Sequence, residues 1–376
     1  NDPTNGIRSS SSGTDTTADT TDQMLMITRN SESLLLCPAD VKPSRDDFEV
    51  IGVFNPGVVR IRSEVVMLVR VAEKPVDRRA GFIGLPRWEM NGECVIDWFP
   101  DVDWILVDAR VVKSRSSGLL RLTSVSHLRV FRKRDGSSDG WLPGAVFLPE
   151  MATDEFGIED PRITKIDETY WITYVAVSRH GAATALASSD DMVTFKRHGL
   201  IFCPENKDVV LFPQQIEDQY VALHRPNPNS HFSSPQIWIA RSPDLLHWGG
   251  HQCLHRGQAM WEADRVGGGT PPILMDDGWL HLYHGSQRGQ RESHVGEYSV
   301  GALLLDRDNP ARVLARSAQP IMQPMTEFVR NGFVACVVFP TAMIEHDCLL
   351  NVYYGAADTS TGVVRFAKQD ILDALC

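Results

Sequence analysis

Residues 279–284, WLHLYH, form a short apolar and aromatic run that is typical of a β-strand. Four further runs of the same kind occur along the chain: VVMLVR (65–70), YWITY (170–174), QYVALH (219–224) and LLNVYY (349–354). One strand type that recurs at broad spacing is typical of a propeller with one copy in each blade. Few segments between the copies have a helical period, so the sequence predicts an all-β, five-bladed β-propeller.

Two other segments share the pattern Ser-x-Asp-apolar-x-x-aromatic, SDDMVTF (189–195) and SPDLLHW (242–248). Each of them follows a run with strand character, at 183–188 and 237–241. We therefore expect each segment to form the turn between two strands of one blade.

The chain is long enough for a large core. It has 376 residues, 43% of them apolar, and its 28 Gly and 22 Pro allow many turns. Residues 1–22 are rich in Ser, Thr, Asp and Gly and have almost nothing to bury, so we expect a disordered tail there. Residues 23–376 are then expected to form a single propeller domain.

Charge and composition argue against several classes of partner. The net charge of −11 and the lack of a long Lys/Arg block argue against nucleic-acid binding. No run approaches the ~18 consecutive apolar residues of a membrane span. The seven cysteines have no CxxC spacing and indicate free thiols in a reducing compartment, and the twelve histidines show no metal-ligand spacing. The sequence predicts a cytoplasmic protein without a metal.

Polar residues stand at the downstream ends of four of the repeated strands or just beyond them, namely Arg70, Arg225, His284 and Asp358. If these strands are the innermost ones of their blades, the four side chains converge on one pocket at the central channel. The alternative is that each is a solvated strand end or part of an ion pair between blades.

The segment GIEDPRI (157–163) places two carboxylates, a proline and an arginine ahead of the YWITY strand. Pro161 lacks an amide donor and restrains Asp160 toward an extended conformation, and Arg162 can pair with an acidic neighbour. We expect Asp160 or Glu159 to face the mouth of the channel. A turn closing the blade is the alternative.

These motifs together resemble glycoside hydrolase family 130, which contains β-mannoside phosphorylases and β-mannosidases. The resemblance runs from about residue 46 to the C-terminus. It rests on FNPG (54–57), the strand ending in Arg70, EDPR (159–162), ENKD (205–208), VLFP (210–213), HRP (224–226), VGGGTPPI (266–273), YHG (283–285) and YGAAD (354–358).

The resemblance implies a five-bladed propeller that holds a mannosyl unit in its central pocket. It implies that Asp160 is the proton donor, acting through the mannose 3-hydroxyl while inorganic phosphate, the co-substrate, attacks the anomeric carbon from the opposite face to give α-mannose 1-phosphate. Asn55, Arg70 and Asp358 match the sugar-binding positions of the family. No cofactor is implied.

The resemblance also places Lys207, Arg225 and His284 at the family's phosphate-binding positions. Phosphate needs cations that hold and orient it but no catalytic base, so these three residues favour phosphorolysis. An unpaired Asp208 would repel phosphate, whereas pairing with Lys207 or an arginine would remove that objection. The alternatives are a β-mannosidase that uses water and a propeller that only binds glycans.

The expected substrate is a short β-mannoside, with a β-1,4 linkage to glucose, N-acetylglucosamine or mannose. We expect the acceptor sugar to contact the loops at 74–98 and 285–297, which have no readable code. Trp261 and Tyr283 are candidates for stacking against a sugar. A homo-oligomer is possible, because a neighbouring subunit could close the acceptor side.

Overall fold

The structure is a computed structural model that describes residues 27–227, 232–288 and 296–376. The predicted tail, residues 1–22, lies outside the described residues. The strands are β1 (Ser31–Leu36), β2 (Phe48–Ile61), β3 (Glu64–Pro75), β4 (Phe82–Trp88), β5 (Cys94–Pro100), β6 (Trp104–Leu106), β7 (Val111–Ser114), β8 (Leu120–Leu122), β9 (Val125–Arg134), β10 (Leu142–Phe147), β11 (Gly157–Ile166), β12 (Thr169–Ser178), β13 (Gly181–Ser189), β14 (Lys196–Phe202), β15 (Asn206–Leu211), β16 (Tyr220–Pro226), β17 (Ile237–Ser242), β18 (Gly249–His255), β19 (Arg265–Gly268), β20 (Ile273–Met275), β21 (Gly278–Gln287), β22 (Glu297–Leu305), β23 (Val313–Arg316), β24 (Val338–His346), β25 (Leu349–Ala356) and β26 (Ser360–Ala367).

Helical segments are short. The α-helices are α1 (Glu327–Arg330) and α2 (Lys368–Asp373), and single 3₁₀ turns occur at Pro38–Asp40, Asp101–Asp103, Ala152–Asp154 and Met260–Glu262. In the part of the chain that the structure describes, no helix has the length and apolar character to cross a membrane.

Five antiparallel sheets form the blades of a β-propeller. Their strand orders are β2-β3-β9-β10 (blade 1), β11-β12-β13-β14 (blade 2), β15-β16-β17-β18 (blade 3), β19-β21-β22-β23 with β20 beside β21 (blade 4), and β24-β25-β26-β1 (blade 5). The first strands contact one another, β2 with β11 and β24, β11 with β15, and β15 with β19, and therefore surround the central channel. The five-bladed fold expected from the sequence is confirmed.

Each of the five repeated runs lies in a different blade, in β3, β12, β16, β21 and β25. They form the second strand of each blade, however, and the expectation that they are innermost is wrong. A second strand packs between two other strands of its sheet and between neighbouring blades, so most residues of β12 and nearly every residue of β21 are buried. This double burial produces the strong apolar pattern, whereas polar residues interrupt the innermost strands.

The two Ser-x-Asp segments form the predicted turns, one between β13 and β14 and the other between β17 and β18. In the first, Asp191 Oδ1 accepts hydrogen bonds from the backbone N–H groups of Val193 and Thr194, at 2.8 and 2.9 Å. In the second, Asp244 accepts equivalent bonds from residues 246 and 247, both at 2.9 Å. A carboxylate that accepts hydrogen bonds from the turn's own backbone fixes the turn locally, so the sequence signal was sufficient.

The N-terminal strand β1 closes the ring of blades, because it pairs with β26 as the outer strand of blade 5. Tyr354 on β25 is fully buried, and its hydroxyl donates to Glu32 Oε1 of β1 at 2.6 Å. Arg29 donates to the other oxygen of the same carboxylate at 2.7 Å. These bonds join the two ends of the chain across more than three hundred residues, a role that no local pattern in β1 indicates.

Blade 1 carries an insert between β3 and β9. The insert contains the hairpin β4-β5 and the three-stranded sheet β6-β7-β8, which we call the β6–β8 module. Three residues of this module, Arg110, Val111 and Leu122, line the cavity at the central channel.

We predict that Tyr354→Phe lowers the free energy of unfolding by about 1–2 kcal/mol, because Glu32 loses a buried hydrogen-bond donor. Denaturant unfolding of the purified protein measures this. Tyr353→Phe is the matched control, since Tyr353 neighbours Tyr354 and its hydroxyl makes no hydrogen bond within the described residues. Equal losses in the two variants would contradict a closing role for this bond.

Candidate active site

A cavity of about 290 Å³ lies where the innermost strands approach one another, and all five blades contribute residues to it. Six of the seven predicted site residues line it: Asn55, Arg70, Asp160, Lys207, Arg225 and Asp358. They come from blades 1, 2, 3 and 5, so residues far apart in the sequence meet in one cavity. The seventh, His284, is fully buried behind the lining.

β-bulges in three innermost strands carry polar residues at the site. Asn55, Asp160 and Asp208 have φ of 52°, 50° and 56°, and the pairing register shifts at these points in β2, β11 and β15. Left-handed φ is unusual for residues other than glycine, and a bulge redirects a side chain away from the regular alternation of a strand. The expectation that Pro161 keeps Asp160 extended is therefore wrong, because the bulge overrides that local preference.

Asp160 is held by neutral and cationic donors. Asn55 Nδ2 donates to its Oδ1 at 2.8 Å, and Arg70 Nη1 donates to the same oxygen at 3.1 Å. Burial alone would raise the pKa of Asp160, but Arg70, Arg162, the Asn55 hydrogen bond and Lys207 together lower it below its usual value. In the free protein this carboxylate is therefore ionised at neutral pH.

Asp358 has the opposite environment. It lies on the turn after β25, and burial together with the nearby carboxylates of Asp160 and Glu159 raises its pKa, although Arg110 and Arg70 oppose the shift. Arg110 Nη1 lies 3.7 Å from Asp358 Oδ2. Two carboxylates in one cavity thus have pKa values that are pushed in opposite directions.

A buried ion-pair network lies at the deep side of the cavity, around Asp208. Its carboxylate is 2.9 Å from Arg225, 3.5 Å from His284 and 3.7 Å from Arg162. Pairing with arginines removes the objection that an unpaired Asp208 would repel phosphate. Arg162 was expected to pair with an acidic neighbour in its own segment. Instead its side chain faces Asp208 of blade 3 and donates to the backbone carbonyl of Asp160 at 2.8 Å.

His284 supports Arg225 from behind. Arg225 Nη1 lies 3.1 Å from His284 Nε2, and because a guanidinium can only donate, this ring nitrogen is the acceptor. Burial lowers the pKa of His284 well below its usual value, and the adjacent Arg225 and Arg162 lower it further. The imidazole is therefore neutral in the free protein, and the expectation that it adds a third cation to the cavity needs revision.

Comparison with known proteins shows the family of this chain. A family model described as β-1,4-mannooligosaccharide phosphorylase, of glycoside hydrolase family 130, matches residues 124–376. A β-1,2-mannobiose phosphorylase from Listeria innocua is 39% identical over 93% of this chain and 98% of its own length. The chain belongs to glycoside hydrolase family 130. This confirms the resemblance read from the sequence, and the protein is an enzyme of this mannoside phosphorylase family.

Further comparisons agree with the family 130 assignment. A solved structure of Listeria innocua β-1,2-mannobiose phosphorylase in complex with β-1,2-mannobiose matches with a TM-score of 0.83 and 39% identity, over 90% of this chain and 96% of that chain. A 1,2-β-oligomannan phosphorylase from Thermoanaerobacter is 36% identical over 66% of this chain and 80% of its own length.

Sequence reasoning missed three residues that line the cavity of this family 130 enzyme: Arg110, Arg265 and Tyr298. Arg265 is the first residue of β19, and Arg110 lies in the insert, where no repeat points to it. The proposed stacking residues Trp261 and Tyr283 instead belong to an apolar core cluster. Tyr283 donates to buried Glu262 at 2.7 Å, so both rings are structural.

We predict that Gly267→Ala destabilises the enzyme by about 1–3 kcal/mol through overpacking. A methyl group at this buried position would collide with the Asp208 carboxylate and the His284 ring. Gly249→Ala is the control, because a methyl group there meets no atom within 4 Å and the residue has no left-handed φ. Thermal unfolding of both variants is the measurement, and a Gly267→Ala midpoint equal to that of the control would refute the tight packing around Asp208.

Proposed function

We propose that the enzyme cleaves β-1,2-mannobiose, or short β-1,2-linked mannosides, with inorganic phosphate and releases α-mannose 1-phosphate. The linkage is proposed from two relatives that are 39% and 36% identical to this chain and whose names give β-1,2 linkages. The sequence favoured β-1,4, which the description of the family model also names. The linkage is set by the acceptor side of the cavity, which the motifs do not describe.

The observation that carries the proposal is the division of one cavity into two regions of opposite charge. The acid region contains Asp160 and Glu159, both in contact with Arg70 at 3.1 and 2.7 Å. The basic region contains Lys207 and Arg225, with Arg162 buried behind them. A phosphate anion fits the basic region, and a mannosyl unit between the two regions would have a proton donor on one side and a nucleophile on the other.

In the proposed reaction, a phosphate oxygen attacks the anomeric carbon while the bond from that carbon to the glycosidic oxygen breaks. Asp160 gives its proton to the mannose 3-hydroxyl, which passes its own proton to the leaving oxygen. Configuration inverts, and Asp160 is left as a carboxylate. Inverting hydrolysis would need a second carboxylate to activate water, whereas phosphate is already a nucleophile.

The charge state of Asp160 follows from its neighbours. Lys207 and Arg162 help to keep it ionised in the free enzyme. A bound phosphate anion offsets their positive charge, so phosphate binding raises the pKa of Asp160 and favours the protonated form that donates. In the reverse reaction, ionised Asp160 serves as the base.

We predict that Asp160→Asn lowers the rate of phosphorolysis of β-1,2-mannobiose by a factor of about 10²–10⁴, because the amide cannot supply the proton. The measurement is α-mannose 1-phosphate release with and without inorganic phosphate. Asp190→Asn, at an exposed turn residue, is the control. Free mannose produced equally well without phosphate would show a mannosidase instead, and sugar binding without cleavage in the wild type would show a glycan-binding propeller.

The pH dependence provides a second test. For synthesis from α-mannose 1-phosphate and mannose, kcat/KM reports the free enzyme, in which Asp160 must be ionised to act as base. Because the Asp160 pKa lies below its usual value, kcat/KM should not fall between pH 7 and about pH 4 through this group. The profile is first corrected for the ionisation of α-mannose 1-phosphate, because a phosphate monoester has a second pKa of about 6. A remaining fall with a midpoint near pH 5–6 in the folded enzyme would contradict the charge state derived for Asp160.

A further inference from the structure

The charged side chains of the cavity differ in depth. Side-chain exposure is 2% for Asp208 and 7% for Arg225, 11% for Asp160, 17% for Asp358 and 36% for Arg110. Arg110 is the most exposed of the ion-paired side chains that line the cavity. The Arg225–Asp208 pair of the basic region is therefore deep, whereas Lys207 is half-buried, and Arg110 lies nearer to solvent than that pair.

An inverting displacement fixes the order of the reacting groups. The nucleophile, the anomeric carbon and the leaving oxygen must be in line. If phosphate occupies the deep basic region, as the proposed function requires, the leaving sugar points away from it toward the mouth. The side chains near the mouth are thus those that meet the acceptor sugar.

The wall near the mouth comes from the β6–β8 module and the residues that follow it, through Arg110, Val111, Leu122 and Ser124. The sequence had suggested the loops at 74–98 and 285–297 for this role. No residue of 74–98 lines the cavity, and part of 285–297 lies outside the described residues. The module instead offers one cation and two apolar side chains, a combination suited to hydroxyl groups and to the C–H face of a sugar ring.

Arg110 is held in place by its own turn. Asp108 Oδ1 accepts from the backbone N–H groups of Arg110 and Val111 at 2.7 and 3.1 Å, and Asp108 Oδ2 accepts from Arg110 Nη2 at 3.2 Å. Thr123 N–H donates to the Arg110 carbonyl at 2.9 Å. A guanidinium has five N–H donors, and the 3.7 Å separation from Asp358 is longer than a hydrogen bond. Among the described residues most of its donors have no hydrogen-bond partner, so they are available to sugar hydroxyls.

We propose that Arg110 is a specificity-determining residue that binds hydroxyl groups of the acceptor sugar, opposite the phosphate and next to Asp358. This inference rests on the proposed function, because the direction of the leaving sugar follows from the position of phosphate. Arg110 links the acceptor to Asp358, which matches a mannosyl-binding position. The ion pair between Arg110 of the insert and Asp358 of blade 5 would then contact both the acceptor sugar and the mannosyl unit.

The test compares two ligands by titration calorimetry of the full chain without inorganic phosphate. β-1,2-Mannobiose would occupy the mannosyl and acceptor positions, whereas α-mannose 1-phosphate would occupy the mannosyl and phosphate positions. Arg110→Ala should weaken mannobiose binding about tenfold, because hydrogen bonds from a charged group are lost, and should change mannose 1-phosphate binding less than about twofold. Arg115→Ala, an exposed arginine of the same module, is the matched control and should change neither.

The other possible results of the titrations separate a failure of the acceptor role from a failure of the proposed function. Equal weakening of both ligands, or no weakening of either, overturns the acceptor role of Arg110 and leaves the proposed function intact. Mannobiose that is hydrolysed during the titration, or a wild type that binds neither ligand, overturns the proposed function and the inference with it. If Arg110→Ala does not fold, Arg110→Gln retains most of the side chain and carries the same expectation.

Discussion

The rest of the site depends on the contacts of one buried guanidinium group, that of Arg162, which is 1% exposed. It donates to the carbonyls of Asp160 in blade 2 and Gly269 after β19 in blade 4, at 2.8 and 3.2 Å. It also faces Asp208 of blade 3 at 3.7 Å and lies 5.1 Å from the centre of the Phe339 ring in blade 5. One side chain therefore connects four blades around the channel. A buried cation with so many partners is costly to disturb, because removing one partner leaves its charge uncompensated.

This arrangement couples the backbone of the site to its charges. The bond from Arg162 to the Asp160 carbonyl holds the bulge that gives Asp160 a left-handed φ. The same guanidinium lowers the pKa of the Asp160 carboxyl. Strained backbone persists where surrounding contacts determine it fully, and here those contacts also set the protonation of the proposed acid. The EDPR segment is thus at once a strand, a bulge and the connection between the acid region and the basic region.

The sequence predicted what local pattern can encode. The second strands of the blades are buried on both faces, so their apolar runs gave the correct number of blades, and the polar ends of those strands, with the family resemblance, led to the cavity. Three features escaped because they depend on distant partners. These features are the pairing of β1 with β26, the left-handed conformation of Asp160, and the approach of Arg110 to Asp358. Each depends on contacts with a distant segment, and the local sequence alone does not indicate those contacts. His284 lies beside Arg225, with which it was grouped, but its neutral state follows from burial, which the sequence does not show.

The balance of charge in the deep region bears on the choice of nucleophile. Arg162 and Arg225 share the single carboxylate of Asp208, and His284 adjoining them is neutral. Lys207 lines the same cavity and makes no ion pair with any residue that the structure describes. The region therefore carries an excess of positive charge, part of it on the buried guanidinium groups of Arg162 and Arg225, and uncompensated buried charge is costly. A water molecule would leave this excess unchanged, whereas a phosphate anion compensates it and at the same time raises the pKa of Asp160 toward the protonated state that the proposed mechanism requires. Binding of a phosphate anion, the nucleophile of the proposed reaction, would thus both offset the uncompensated positive charge and favour the proton on Asp160.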